Sequence, residues 1–259
     1  MGTNEGPDRL STLIQLREKT DILIEPKWIW PALASYVLWV VYAFIYFTRS
    51  TLPILDVDQT LGLVGTLAFA TSTGLSFLVY NLISRENKHA ERAQEIIREA
   101  LHRIQSGTSP QNMAIQLPLS SAEQDFASLL QKSRRHSAIL WALLVMIPYL
   151  GWVLLIVVLY LLTQSSNTHG KSETLVLEDL ERTLVAGGAQ HMTISTRLST
   201  SRSSLAFVLA SFVTFGIVPL SWLYVMIIGE QAHFSYHSSL EPELLNILST
   251  IRFDSARLN

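Results

Sequence analysis

The sequence predicts an all-α polytopic membrane helical bundle: four apolar segments, amphipathic cytoplasmic helices and a threefold repeat where the segments end. Three observations predict it. Four runs, at 28–47, 60–83, 137–162 and 203–228, contain no Asp, Glu, Lys, Arg or His. Each is about 20 or more residues long, enough to cross a hydrocarbon layer of roughly 30 Å. Charged residues make up only 15% of the chain, against roughly 25% in ordinary soluble domains. Trp28, Trp30, Tyr46, Tyr80, Tyr160 and Tyr224 sit near the run ends, where amphipathic rings favour the headgroup layer.

Residues 1–27 are polar with an amphipathic stretch through Leu10, Leu13 and Leu16, and lack the short apolar core of a secretory signal. A first membrane hairpin is expected over 28–83. A cytoplasmic helical connection follows at 84–136, then a third segment at 137–163 and a connection with an amphipathic helix at 164–202. The fourth segment is 203–229, and an amphipathic tail closes the chain at 230–259. In ordinary spans, 14 of the Lys and Arg residues fall on the side of both termini and five on the other. That places both termini in the cytoplasm and the protein in the cell membrane as a multi-pass chain.

Three segment exits repeat one pattern: Tyr, six residues, Asn or Gln, one residue, His. The triplets are Tyr80, Asn87 and His89; Tyr160, Asn167 and His169; Tyr224, Gln231 and His233. Each exit leads into an amphipathic stretch. Ala93, Ile96, Ile97, Ala100, Leu101 and Ile104 share one stripe, as do Leu177, Leu180 and Leu184. Leu244, Leu248 and Ile251 follow Pro242, which suits the first position of a new helix. A short helix is expected over 120–131, with Ser120 and Glu123 at capping-box spacing. Residues 106–119 and 186–190 read as loops.

The repeat conflicts with simple spans, which would put the middle exit on the opposite side. Pro148-Tyr149-Leu150-Gly151 and Gly216-Ile217-Val218-Pro219 lie near the centres of the third and fourth segments, where re-entrant turns would reconcile the exits. A turn in lipid leaves polar backbone unsatisfied, so ordinary spans are the expected arrangement. The stretch Arg202-Ser-Ser, Val213-Thr214-Phe-Gly216-Ile217 and Trp222-Leu-Tyr224 resembles an uncharacterised prokaryotic membrane-domain family with a Thr-x-Gly-Ile-Tyr…Tyr-Trp-Leu-Tyr motif. The resemblance covers about 45 residues and implies a prokaryotic membrane protein. Val218 and Leu220 stand where that family often has aromatics.

The absence of cysteine excludes disulfides, thiolate metal sites and cysteine nucleophiles. Nineteen basic against 21 acidic residues give no case for nucleic acid. No ionisable side chain lies inside a segment, against proton-coupled transport and transmembrane haem, and no phosphate loop or hydrolase elbow is present. His89, His169 and His233 would make a metal or headgroup site if they converged, with Glu91, Glu173 or Glu230 nearby. The plainer reading, preferred here, makes Tyr an interface anchor, Asn or Gln a helix cap, and His a residue of the last polar turn. No catalytic, cofactor-binding or metal residue is therefore expected, nor a cofactor. Gly62, Thr66, Ala70 and Gly74, and Ala206, Ala210 and Thr214, form small-residue ladders that suit helix packing. The expected function is a non-enzymatic structural or accessory role through contacts with membrane lipid, a homo-oligomer or a membrane-protein partner. The alternative is a homo-oligomeric channel with an uncharged lining of Thr66, Thr71, Thr73 and Ser76.

Overall fold

The computed structural model describes residues 9–21, 23–51, 56–189, 203–214 and 217–250. Among these every regular element is helical. Two short helices, α1 (Arg9–Gln15) and α2 (Arg17–Thr20), and a 3-10 turn at Pro26–Trp28 precede α3 (Ile29–Thr48). The others are α4 (Val57–Gly107), α5 (Met113–Lys132), α6 (Ala138–Val145), α7 (Leu150–Ala186), α8 (Ser204–Val213) and α9 (Val218–Thr250). Three stretches are long and apolar enough to cross a membrane: Pro26–Thr48, Val57–Gly107 and Leu150–Ala186.

Helices α3 and α4 form the expected first hairpin. Asp56 caps α4 by accepting the Gln59 N–H at 3.0 Å. The two helices meet along Ser35, whose hydroxyl lies 2.8 Å from that of Ser72, and Trp39, whose indole N–H donates to Ser72 at 2.9 Å. Helix α4 then runs without a break from its apolar half through the stripe at 92–104, 51 residues in all. At about 1.5 Å per residue it extends roughly 75 Å, so one rod carries both an apolar core and a polar-side core.

The third and fourth segments are each divided. His136 lies beside Asn87, which accepts its N–H and donates to its carbonyl at 2.8 Å. From there α6 climbs along α4, where Ser76 donates to the Ala142 carbonyl at 2.5 Å. The chain turns at 146–149, and α7 descends until His169 is again level with His89, their ring centroids 6.3 Å apart. Helices α8 and α9 do the same on a smaller scale. Ser204 accepts from Gln164 at 2.9 Å, and Phe207 stacks on Trp222 at 5.0 Å. Both segments are thus helical hairpins whose two ends lie at one level, in place of the single helices expected.

Gly151 makes the first turn possible, because a Cβ there would sit 2.0 Å from the Val145 carbonyl oxygen. Tyr149 holds the left-handed conformation at φ 61°, a strained choice for a non-glycine residue. Its ring packs on Trp39 at 5.0 Å and Tyr42 at 6.3 Å.

Two apolar cores result. One lies among the apolar segments, around Leu78, Leu82, Leu155, Leu159, Trp222 and Leu223. The other lies beyond them, where Leu10, Ile97, Ile104, Leu129, Leu180 and Leu244 meet. The second core explains two boundaries that differ from expectation. Helix α5 begins at Met113 and contains Pro118, and Ser120 donates to Leu117 rather than capping a new helix. Ile115, Leu119, Ala122, Phe126 and Leu129 form one continuous buried stripe, and its burial outweighs the local break. Pro242 likewise lies inside α9, between buried Leu240 and Leu244. Helix α7 ends at Ala186, before Gly188 at φ 93°, as the Gly187-Gly188 pair predicts.

Candidate metal centre

Between the two cores, just past the ends of the apolar runs, α4, α7 and α9 bring the repeat histidines together. Ring nitrogens of His89, His169 and His233 lie within 4.8 Å of one another, and those of His233 and His237 lie equally close to Glu173. His89 Nε2, His169 Nδ1 and Nε2, and His233 Nε2 are buried and make no hydrogen bond among the described residues. Leaving such groups unmatched is costly, about 1–3 kcal/mol each.

Glu173 sits among these rings with its side chain 1% exposed. Its Oε2 is 3.6 Å from His169 Nε2 and 3.5 Å from His233 Nε2, and its Oε1 is 3.3 Å from His237 Nε2. The Oε2 separations are too long for hydrogen bonds. They are close to the edges of a coordination polyhedron: bonds of about 2.1 Å at 90–109° put neighbouring ligand atoms about 3.0–3.4 Å apart. The rings pack edge to face at 4.7–6.3 Å, which leaves no room for a flat macrocycle.

A second layer orients these groups. Asp21 Oδ1 lies 3.0 Å from His89 Nδ1, turning His89 Nε2 inward. Arg92 donates to Asp21 at 2.6 Å and to Glu241 at 2.7 Å, and Glu241 lies 3.4 Å from His237 Nδ1. The chain of contacts therefore runs from His89 through Asp21, Arg92, Glu241 and His237 to Glu173. A carboxylate behind a ligating imidazole fixes its tautomer and strengthens it as a donor.

Burial holds His89 well below the usual imidazole range, helped by His237, His233, His169 and Arg92. It lowers His169 as well, against the pull of Glu173. His233 is lowered to about 3, by burial first and then, against Glu173, by His237 and His169. These rings are neutral at pH 7, the state that ligates. Burial also opposes charge on His237, but Glu173 and Glu241 prevail and push it up to about 10. Burial opposes charge on Glu173 too, yet His237 and His169 keep its carboxyl well below the usual range. Glu86, raised to about 8 by burial and by Glu230, borders a small cleft that it shares with His169, Ser165, Arg134 and Arg135.

Of the carboxylates named from sequence, only Glu173 joins the cluster. Glu230 pairs with Arg85, and Glu91 lies exposed on Arg135 at 3.3 Å. The other repeat residues take separate places. Tyr80, Tyr160 and Tyr224 are exposed. Asn87 tethers His136, and Gln231 donates to the Ile24 carbonyl at 2.5 Å, so both amides tie down neighbouring segments instead of capping their own helices. Asn167 borders a pocket with Gln164, Ser203 and Ser204.

The small-residue ladders do not line the contacts within the chain. Gly62, Thr66, Ala70 and Ala206 are exposed, and Ala210 and Thr214 half-buried. The face of α4 turned to α3 carries Gly65, Ala68 and Ser72. Gly74 alone of the first ladder meets a neighbour closely, at Pro31.

Sequence reasoning missed Asp21, Arg92, His237 and Glu241. The last two had a signal: His233, His237 and Glu241 recur every four residues, as do His169 and Glu173, which stacks each set on one helix face. Asp21 and Arg92 carried none. The chain matches no known protein family, no characterised protein and no solved structure.

Proposed function

We propose that this chain is an integral membrane metalloprotein that holds a divalent transition metal where its segments leave the bilayer. His89, His169, His233 and Glu173 are the ligands. The observation that carries this reading is the convergence of buried ring nitrogens, without hydrogen bonds, of His89, His169 and His233 from three helices, two of which, His169 and His233, also face Glu173. Charge supports it. With His237 neutral and Glu86 protonated, two guanidinium groups among the described residues, Arg85 and Arg92, face four charged carboxylates, Asp21, Glu173, Glu230 and Glu241. A divalent ion makes up the difference; without it, the proton on His237 does so in part.

Imidazole and carboxylate donors without thiolate suit zinc, iron, copper or nickel. Four protein ligands fill a tetrahedral zinc site, the closed arrangement of a structural metal. The accessory role expected from sequence shares this membrane scaffold but has no use for the cluster. Of the hydroxyls named for a channel lining, Thr66, Thr71 and Thr73 donate to carbonyls of their own helix and Ser76 to Ala142.

The test is metal content of protein purified in detergent without chelator, then reloaded with zinc after chelation. About one ion per chain is expected, lost in a His169→Ala, His233→Ala double variant that still inserts in the membrane. Wild-type protein that neither retains nor takes up metal would reduce the cluster to a buried charge network tying the helices together.

A further inference from the structure

We infer that the protein is a one-leaflet wedge whose partner is the curved bilayer itself. Tyr149, at the tip of the α6–α7 hairpin, packs on Trp39, halfway along the 20-residue α3. If α3 spans the hydrocarbon layer, that tip stops near its middle. Helix α8, ten residues long, reaches only about 15 Å from its start, and that start lies level with Gln164. Among the described residues, one half of the bilayer therefore accommodates α3, α4, α6, α7, α8 and α9, and the other half α3 and α4 alone.

The tips suit an apolar layer in that most of their described backbone donors bond locally. Ile147, Leu150, Gly151 and Trp152 donate to carbonyls of the same turn, and Pro148 has no N–H to satisfy. In the second hairpin Ile217 donates to the Thr214 carbonyl and Val218 to its hydroxyl, and Pro219 again lacks a donor. The faces turned away from the bundle are apolar and exposed, through Ile139, Leu143, Leu209, Phe212 and Val213. Their occupant is acyl chain: none of these faces carries a charge, and their extra cross-section falls in one leaflet.

Area inserted into one leaflet favours curvature in which that leaflet is convex. The loaded leaflet adjoins the polar half of the protein, where α5, the metal centre and the basic residues Lys132, Arg134 and Arg135 lie.

Membrane tubules pulled from giant vesicles test this, with the protein labelled at Pro110→Cys in an otherwise cysteine-free chain. Where the polar half faces outward, density on the tubule should exceed that on the parent vesicle by about twofold. Where it faces inward, density should fall instead. Equal density on tubule and vesicle would overturn the wedge. Enrichment in both orientations would also overturn it and assign the exposed faces to a second copy. The assay is run on metal-free protein too, so its outcome stands apart from that of the metal centre.

Discussion

Asp21 and His89 are 68 positions apart in the chain, yet a carboxylate oxygen of Asp21 lies 3.0 Å from Nδ1 of the His89 ring. The N-terminal segment thereby reaches across α4 and aims the opposite ring nitrogen at the other histidines. Asp21→Ala should lower metal affinity by about 10–100-fold, the usual cost of losing such a partner. Competition with a graded chelator series measures it. Unchanged affinity would leave Asp21 as a partner of Arg92 alone.

Arg92 is 2% exposed and holds both Asp21 and Glu241. Arg92→Met leaves two buried carboxylates without their cation, a loss of about 3–5 kcal/mol. Thermal unfolding in detergent should shift down accordingly, whereas Arg103→Met, on a partly exposed pair with Glu99, should barely move it. Similar shifts in both would show that the Arg92 contacts are screened.

The metal-free protein should be most stable near pH 6.5. His233 is lowered to about 3, so as pH falls from about 6.5 the unfolded chain binds a proton that the fold refuses, and stability drops. His237 is raised to about 10; its contribution is complete below about 6.5 and disappears as pH rises towards 10. His237→Asn should flatten the alkaline limb above about pH 8, where Glu86, raised to about 8, no longer contributes, and leave the acid limb in place. Melting temperatures from pH 4 to 10 check both, and a limb above pH 8 that survives the substitution would remove His237 from the account.

The three histidines that converge were singled out in the sequence because Tyr and His recur there at one offset. Their direction was legible too, since nine residues put His opposite Tyr on a helix, and the tyrosines face out. The cost of a turn inside lipid favoured single helices for the third and fourth segments, whereas each is divided into two. Pro148 and Pro219 remove donors at those turns, and Ile147, Leu150, Gly151, Trp152, Ile217 and Val218 bond locally. Pro118 and Pro242 read as boundaries by local rules, but each lies in a stripe whose burial continues on both sides. Asp21 and Arg92 meet only through tertiary contact, which no periodicity encodes.

Gly151→Ala should prevent the α6–α7 hairpin from closing, because its methyl would meet the Val145 backbone oxygen at 2.0 Å. Backbone cannot rotate away as a side chain can. The variant should expose the buried Ala142 and Val145 and lose protection against proteolysis between α5 and α7. Wild-type resistance would show that the turn has another backbone solution.

Gly62 and Gly74 belong to one ladder but should respond differently. Nothing lies within 4 Å of a Cβ at Gly62, whereas one at Gly74 would sit 2.8 Å from Pro31, whose ring has little freedom to move. Gly74→Leu should cost about 1–3 kcal/mol through overpacking. Gly62→Leu should leave the folded chain intact, and any effect it has should appear as altered self-association. Unfolding and sedimentation of the two variants separate these cases, and equal destabilisation would place Gly62 inside a packed contact.

The hairpins also predict which side of the membrane the 164–189 region faces. His169 lies with His89 and His233, and Asn87 holds His136, so the end of α4 and the polar half of α7 occupy one side. The ordinary spans expected from sequence would separate them. Ser172 is buried and would report burial rather than side, but its neighbour Lys171 is exposed. Cysteine at Pro110 and cysteine at Lys171 should therefore behave alike towards an impermeant thiol reagent. With the eight basic residues of the 84–136 connection facing the cytoplasm, both should stay unlabelled in intact cells and react after permeabilisation. Labelling of Lys171→Cys from outside, with Pro110→Cys protected, would make α7 a full span and separate His169 from His89, which would remove the metal centre and the wedge together.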